Sequence, residues 1–574
     1  METERQDLAC RERYQTLLTG LADYIDLWSK LKPRETALIE FGTGETVTWK
    51  DLSRKTKAFA AKLLAIGLRK GDVVASSLPL IKEHHYLIFA CFRIGVVIAP
   101  LDLRIKQDEV ERCFAKIRPK AYFFLGKTPL ADFRPMVAAL HERFRAEIPH
   151  WVQFQKEPEL LLPGVVGIAE FAADMKWLYL RSLVTGSVRR AQRRVSRRDP
   201  AAAIFTTGST GEPKPAVLCQ ENILVQCIGM VVASDVTEQD RLLINLPPSH
   251  VGGLTEQLAM TVYAGVTSIL LPIFKADQSL QGIQKYQATM LGQIPAMFNM
   301  EWLLPDYASY NLSSLRIAVY GGQSVSNEFL ARLARMAPQI GSGLGLTETA
   351  GFCTFTSRNA DASSIQKSLG FATPLCPISI REPMKDDGTA GAVKPPGEIG
   401  EICFEGPQIF LGYLNDEAST RQTLSRDGVC YTGDVGSYDR DGLHLSGRRK
   451  YIMKPKGYQV FPGDVERFLA ARLGERVTSV ACIGATHEIF SEAIIAFIEL
   501  SGRGEVTAAE AAEAAKGLAA YARPSHFEFL PPGGMPLNRV AKTDYLILRE
   551  RAEAIVTALR EQGGWDRADG KAQA

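Results

Sequence analysis

The stretch IFTTGSTGEPK, from Ile204 to Lys214, concentrates groups able to hold a polyphosphate. An apolar strand end runs into Thr206, Thr207, Gly208, Ser209, Thr210 and Gly211, and the run closes on Lys214. Glycines let backbone N–H groups turn inward, hydroxyls add donors, and the lysine adds positive charge. The GxxxxGK[ST] spacing is absent, so this is not a Walker loop. Taken alone, the same composition also describes a surface turn.

The elements flanking this loop alternate in type. Thr48 to Ile66 has the pattern of an amphipathic helix, GDVVASSLP reads as a strand, Ile81 to Phe92 as a helix, and GVVIAP as a second strand. This βαβα rhythm predicts an α/β sheet with covering helices. It returns between Arg241 and Gly322, where LLINLP, SILLP, ATMLGQIP and LRIAVYGG read as short buried strands. From Gly397 onward short strands and turns take over. Beyond Arg449 the strands VTSVACIGA, AIIAFIEL and HFEFLP, with an Ala-rich helix over 507–520, predict a separate small α+β domain. The expected boundaries are 1–448 and 449–574.

Residues 138–199 are less regular. Within them WLYLRSLVTGSVRRAQRRVSRR merges an apolar run into a basic one. The expectation is a core-docked helix with a solvated basic end. The alternative is a surface helix over 174–198 that makes weak contact with anionic lipid.

Composition narrows the function classes. The net charge of +3 over 574 residues disfavours a nucleic-acid partner. Ten cysteines occur singly, without CxxC pairs or zinc-site spacing, and read as reduced thiols. The N-terminus lacks an apolar signal region, and no apolar run is long enough to span a bilayer. The expected location is the cytoplasm.

Five motifs then occur in a fixed order. FTTGSTGEPK is followed by LGLTET at Leu344–Thr349 and YTGDVG at Tyr431–Gly436. GRRKYIMKPKGYQVFPGDVE follows at Gly447–Glu466, and PLNRVAKTD at Pro536–Asp544. In sequence, order and spacing they resemble the core motifs of the ANL superfamily of adenylate-forming enzymes. That superfamily includes acyl-CoA synthetases, luciferase-like enzymes and peptide-synthetase adenylation domains. The resemblance covers about residues 25–550. It implies a large N-terminal domain of packed α/β sheets with a distorted β-barrel subdomain, and a small mobile α+β C-terminal domain.

The resemblance also implies roles for individual residues. Thr206 to Gly211 and Lys214 would hold the nucleotide phosphates. Thr347, which follows Gly345, would meet the α-phosphate, and Glu348 would ligate Mg2+. A carboxylate beside phosphates needs such a cation, although Glu348 also reads as a helix cap. Asp434 and Arg448 would hold the ribose, where a carboxylate accepts from two hydroxyls. An ordinary turn Asp and an inter-domain salt bridge are the plainer readings. Gly321 and Gly322 resemble the turn lining adenine and acyl group. His250 falls beside the acyl pocket as a gate or wall, or is simply packed in its turn. Gly252 or Gly253 would let the acyl chain approach. Lys542 would bridge the substrate carboxylate and α-phosphate during adenylation. Lys450 takes the hinge position. Lys454 and Gly457 lie on the loop expected to enter the site for thioester formation, where Lys454 pairs with CoA phosphates or is solvated.

Three positions depart from the pattern. Pro215 replaces a Gly and removes an N–H donor. Leu344 replaces an aromatic residue against the adenine. Ala541 replaces the Gly before Lys542. The charged groups are all retained. The implied enzyme is an AMP-forming acyl-CoA synthetase using ATP, Mg2+ and coenzyme A on a fatty or an aromatic or alicyclic acid. CoA is the expected acceptor because the terminal lysine motif lies close to the C-terminus. The alternatives are an acyl-AMP ligase that loads a free-standing acyl carrier protein, and an inactive relative that only binds nucleotide or acyl ligand.

Overall fold

The computed structural model describes residues 2–207, 213–323, 325–538 and 542–566. Two large sheets dominate the first four-fifths of the chain. One has eight strands, in the order Gly412–Tyr413, Pro213–Cys219, Pro200–Thr207, Val97–Pro100, Val73–Ser77, Ala121–Leu125, His150–Phe154 and Val166–Gly167. The other has seven: Gln339–Gly341, Ile317–Tyr320, Met290–Gln293, Arg241–Ile244, Thr267–Leu270, Thr36–Glu40 and Thr46–Thr48. Most neighbours run parallel, as crossover helices require. The strand over 73–77 is buried along its whole length, which is why its sequence shows no polar alternation.

Helices fill the space between the sheets. Lys82–Ile94 is buried on every side from His84 onward, and Gln220–Ala233 is buried along almost its whole length. Such helices must be apolar all round or satisfy their polar groups internally. One core cluster includes Val74 and Ile98 from the first sheet, Ile88 and Ile228 from these helices, and Leu242 and Leu270 from the second sheet. Trp49–Ala65 begins where Thr48 Oγ1 accepts from Asp51 N at 3.1 Å. Both predicted helices in this region are therefore present within two residues of their expected ends.

Buried Asn222 ties a distant segment to this frame. Its Nδ2 donates to Pro407 O at 2.8 Å and Ile409 O at 2.7 Å. The segment continues through Phe410, whose N–H donates to Glu348 O at 2.9 Å, to Tyr413 on the sheet edge.

The part expected to form a distorted barrel is built on a four-stranded antiparallel sheet. Its order is Ile378–Arg381, Gly400–Phe404, Cys430–Asp439, Gly442–Arg448. The C-terminal part carries its own sheet of Val477–His487, Ser491–Leu500 and His526–Leu530, with helices Pro462–Leu473 and Tyr545–Glu561 packed on it. Ala508–Ala515 is the Ala-rich helix, capped by Thr507.

One expectation changes. Residues 138–199 are regular after all, with helices Arg134–Phe144, Ile168–Ala173, Met175–Thr185 and Ser187–Arg193 around a strand at His150–Phe154. Met175–Thr185 is docked by one face on Trp49–Ala65, as expected: Met175 and Ser182 are buried and Leu178 and Tyr179 pack half-buried against the core, whereas Trp177, Leu180, Leu183 and Val184 stand in solvent. Apolar residues also occupy the opposite face, so the sequence alone does not show which face is buried. Among the described residues, no helix is long and apolar enough to cross a membrane, and all ten cysteines are free and buried.

Candidate active site

Two strands carry the described ends of the phosphate-loop motif. Pro200–Thr207 and Pro213–Cys219 pair antiparallel, with Thr206 opposite Lys214. Gly208, Ser209, Thr210 and Gly211 lie outside the described residues. Thr206 Oγ1 lies 3.5 Å from Lys214 O. The Lys214 ammonium stands 5.6 Å from the centre of the Tyr413 ring, a cation–π distance.

Tyr413 joins this lysine to Glu348. Its phenol donates to Glu348 Oε1 at 2.5 Å. Burial and the adjacent Glu348 carboxylate both push the phenol pKa up, so it remains a donor. Glu348 sits on the single turn Thr347–Thr349, just after the strand Gly345–Leu346. Gly345 is needed there because a Cβ would come within 2.7 Å of the Gly351–Phe352 backbone. Among the described residues no cluster of three metal-ligating side chains occurs. A lone carboxylate linked through Tyr413 to Lys214 fits Mg2+, which keeps waters and takes one or two carboxylates plus phosphate oxygens. It does not fit a metal caged by protein.

Asp434 and Arg448 face each other across neighbouring strands. Arg448 Nε lies 2.8 Å from Asp434 Oδ1, and Asp434 is buried. Burial raises the Asp434 pKa, opposed by the Arg448 and Lys542 charges.

Lys542 reaches this cluster from the far end of the chain. Asn538 Oδ1 accepts from Lys542 N at 3.1 Å, and Asn538 N donates to Lys542 O at 2.8 Å. Ala541 itself lies outside the described residues. Lys542 Cε is 3.4 Å from where a Cβ on Gly322 would stand. Gly322 has φ +101, a conformation that favours glycine. Burial lowers the Lys542 pKa, as does the Arg448 charge, against the pull of Asp434, Glu256 and Glu348. Lysine, carboxylates and guanidinium thus share one electrostatic neighbourhood.

His250 lies within reach of the Lys542 charge. Its Nδ1 accepts from Gly252 N at 3.1 Å, which leaves the ring proton on Nε2. Burial and the Lys542 charge push its pKa down to about 4, so the ring is neutral near pH 7. Gly252 begins a π-helical turn, Gly252–Ala259. Such turns recur at functional sites.

Two predicted glycines make close packing contacts, and the predicted hinge and loop residues Lys450, Lys454 and Gly457 are exposed. Gly253 does not open the acyl pocket: a Cβ there would strike Pro247 O at 2.2 Å and Leu246 O at 2.5 Å, so the glycine serves close backbone packing. Gly321 allows the Phe352 ring to pack, at 2.7 Å from its Cβ direction. Lys454 and Gly457 are exposed, and open space surrounds the Cβ direction of Gly457. Lys450 lies on the turn Arg449–Tyr451, its ammonium 4.3 Å from the Tyr451 ring. Tyr413 and Glu256 have no local sequence signal. One comes from a two-residue strand, the other from a turn of unexpected pitch.

Three relatives calibrate the resemblance. An indoleacetate–CoA ligase of Aromatoleum aromaticum is 29% identical over 84% of this chain and 89% of its own. A fatty acid–[acyl-carrier-protein] ligase of Streptomyces coeruleorubidus is 27% identical over 88% of this chain and 92% of its own. The solved structure of an anthranilate CoA ligase in complex with anthranoyl-AMP superposes with a TM-score of 0.79 at 20% identity. It covers 95% of this chain and 99% of that one, and shares the fold. The AMP-binding enzyme model matches residues 25–414, and the chain belongs to that family.

Proposed function

We propose that the chain is an AMP-forming carboxylate–CoA ligase. The observation that carries this reading is the approach of Lys542 to Gly322 and to the charges of Asp434, Arg448 and Glu348. Five separate sequence segments meet there, with the chemistry that adenylation needs.

In the first step a carboxylate oxygen attacks the α-phosphorus of ATP. The bond to pyrophosphate breaks, and an acyl-adenylate remains. Lys542 holds the attacking carboxylate and an α-phosphate oxygen together and offsets the crowded negative charge. Thr347 donates to the α-phosphate. Lys214 and the loop hydroxyls hold the outer phosphates. Asp434 accepts from the ribose hydroxyls, oriented by Arg448. Glu348 would ligate Mg2+, which supplies charge neutralisation of the phosphates. Neutral His250 walls the carboxyl end.

In the second step a thiol loses its proton to solvent and its sulfur attacks the acyl carbonyl. The C–O bond to AMP breaks. Residues 449–574 act as a moving domain that turns about Lys450, withdraws Lys542 and brings in the loop of Lys454 and Gly457. CoA is the acceptor favoured by the indoleacetate relative's name; the name of the Streptomyces relative keeps a carrier protein as the second reading.

Pyrophosphate release with a panel of acids, with and without CoA, tests both. Thioester formation with CoA is the expected result. Adenylate without CoA thioester, but with transfer to an acyl carrier protein, moves the assignment to the second reading. ATP binding without turnover on any acid leaves an inactive relative.

A further inference from the structure

Glu256 lies deep in the large domain, on the π-helical turn that follows His250, where its neighbours Thr255 and Gln257 are buried. Yet Glu256 itself keeps accessible surface. A side chain with surface left accessible can meet a ligand. Its Oε1 accepts from Phe352 N at 3.0 Å. Its Oε2 takes no hydrogen bond among the described residues and lies 3.7 Å from the Cβ direction of Gly252. Beside it, Gln226 is fully buried and neither atom of its amide has a partner. Both side chains flank Gly351, where a Cβ would lie 2.6 Å from Glu256 Oε1 and 3.1 Å from Gln226 Nε2. A glycine at φ +124 keeps that corner open.

An alkyl chain packed against these groups would leave a carboxyl oxygen and an amide without partners, which is strongly unfavourable. An O–H or N–H group would satisfy them. We propose that Glu256, assisted by Gln226, is a specificity residue that selects carboxylic acids carrying a hydrogen-bond donor (hydroxyl, amino or ring N–H) on the acyl part of the molecule. The inference rests on the ligase reading. Burial pushes the Glu256 pKa up to about 7, against the Lys542 charge, in keeping with an incompletely paired carboxyl.

The test is pyrophosphate release on matched acids: hydroxyphenyl- and aminophenyl-alkanoates, their methylphenyl counterparts, and straight-chain acids. A hydrogen bond to a charged group predicts a kcat/KM preference of about 10-fold or more for donor-bearing acids. Glu256→Leu should erase it by losing the donor-bearing acids while keeping or gaining methylphenyl acids. Glu256→Gln, an isostere, should retain hydroxyl-bearing acids better than amino-bearing ones. A wild-type preference for methylphenyl or straight-chain acids overturns the inference and leaves the ligase reading intact. So does an equal loss on all acids in both variants. No release from any acid overturns the ligase reading, and this inference with it.

A second inference rests on a different surface. On the helix Met175–Thr185, Trp177, Leu180, Leu183 and Val184 are 59, 51, 58 and 89% exposed. At 100° per residue they share one outward arc. Arg181 stacks on Trp177, its guanidinium 5.3 Å from the ring, and exposed Arg189, Arg190, Arg193 and Arg194 follow. None of these four arginines makes an ion pair among the described residues. An apolar ridge beside unpaired cations, on a convex helix rather than in a groove, suits a bilayer with anionic headgroups. We infer that this helix and its arginines dock on an anionic lipid surface.

Co-sedimentation with vesicles of phosphatidylcholine alone, and of equal parts phosphatidylcholine and phosphatidylglycerol, tests it. Binding only to the anionic vesicles is expected. It should weaken several-fold with added salt, and with either Trp177→Ser plus Leu180→Ser or Arg189→Gln plus Arg193→Gln. Equal binding to both vesicles, no binding, or binding unchanged by both double variants overturns it. So does capture of an acidic carrier protein by this face in place of vesicles.

Discussion

The phenol of Tyr413 donates to Glu348 Oε1 at 2.5 Å while its ring lies under the Lys214 ammonium. One side chain therefore orients both the carboxylate proposed for Mg2+ and the lysine proposed for the outer phosphates. Tyr413→Phe removes the hydrogen bond and keeps the ring. The expected outcome is a fall of about 10-fold in kcat/KM for Mg·ATP, the scale of a hydrogen bond to a charged group. The Mg2+ concentration for half-maximal rate should rise, and KM for CoA should not move. An unchanged Mg2+ requirement would refute the linkage.

Lys542 carries the clearest pH signature. Burial and Arg448 lower its pKa. A cation with a lowered pKa is fully charged at low pH and loses its charge below the usual lysine range as pH rises. Adenylation should therefore decline on the alkaline side, and Lys542→Arg, whose charge persists, should move that limb upward. Lys542→Ala should reduce pyrophosphate release about 100-fold or more. Thioester formation from preformed acyl-adenylate should survive in Lys542→Ala. Equal loss in both half-reactions would sink the assignment.

Much of this site was legible in the sequence because its chemistry lies in short contiguous motifs. The segments holding Lys214, Glu348, Asp434 and Lys542 each declare themselves by residue type and order. The βαβ pattern likewise gave the sheets, since buried parallel strands write themselves as unbroken apolar runs.

What stayed hidden depends on tertiary placement. Tyr413 acts from a two-residue strand fixed by Asn222 holding the backbone at Pro407 and Ile409. Glu256 faces the site because the π-helical turn changes the rotation per residue, which an α-helical reading of LPPSHVGGLTEQ does not anticipate. Gly253 looked like room for a substrate and proved to be room for two carbonyl groups. Glycine marks close approach without saying what approaches.

The Asp434–Arg448 pair separates binding from chemistry. Asp434→Asn preserves shape but loses the charge that accepts from two hydroxyls. Because the ribose does not change during phosphoryl transfer, the lost interaction is equal in ground and transition states. KM for ATP should rise about 10-fold while kcat at saturation stays within a few-fold. A selective loss of kcat would place Asp434 in the chemical step and refute ribose anchoring.

Away from the chemistry, Glu301 links the fold to pH. It is fully buried, and Gln293 Nε2 donates to its two oxygens at 3.0 and 2.9 Å. Burial pushes its pKa up to about 8. A carboxyl with a raised folded pKa contributes stability that is fully present below its unfolded value, about 4.3. That contribution is lost progressively as pH rises through about 8. Rotating the Gln293 amide would let the protonated acid donate to Oε1, which has no partner in the present arrangement. Glu301→Gln keeps the volume and removes the titration. The difference in melting temperature, variant minus wild type, should be small near pH 5 and grow in the variant's favour toward pH 8.5, equivalent to a few kcal/mol, ~1.4 for each pH unit crossed. A difference independent of pH would show that Glu301 does not titrate in this window.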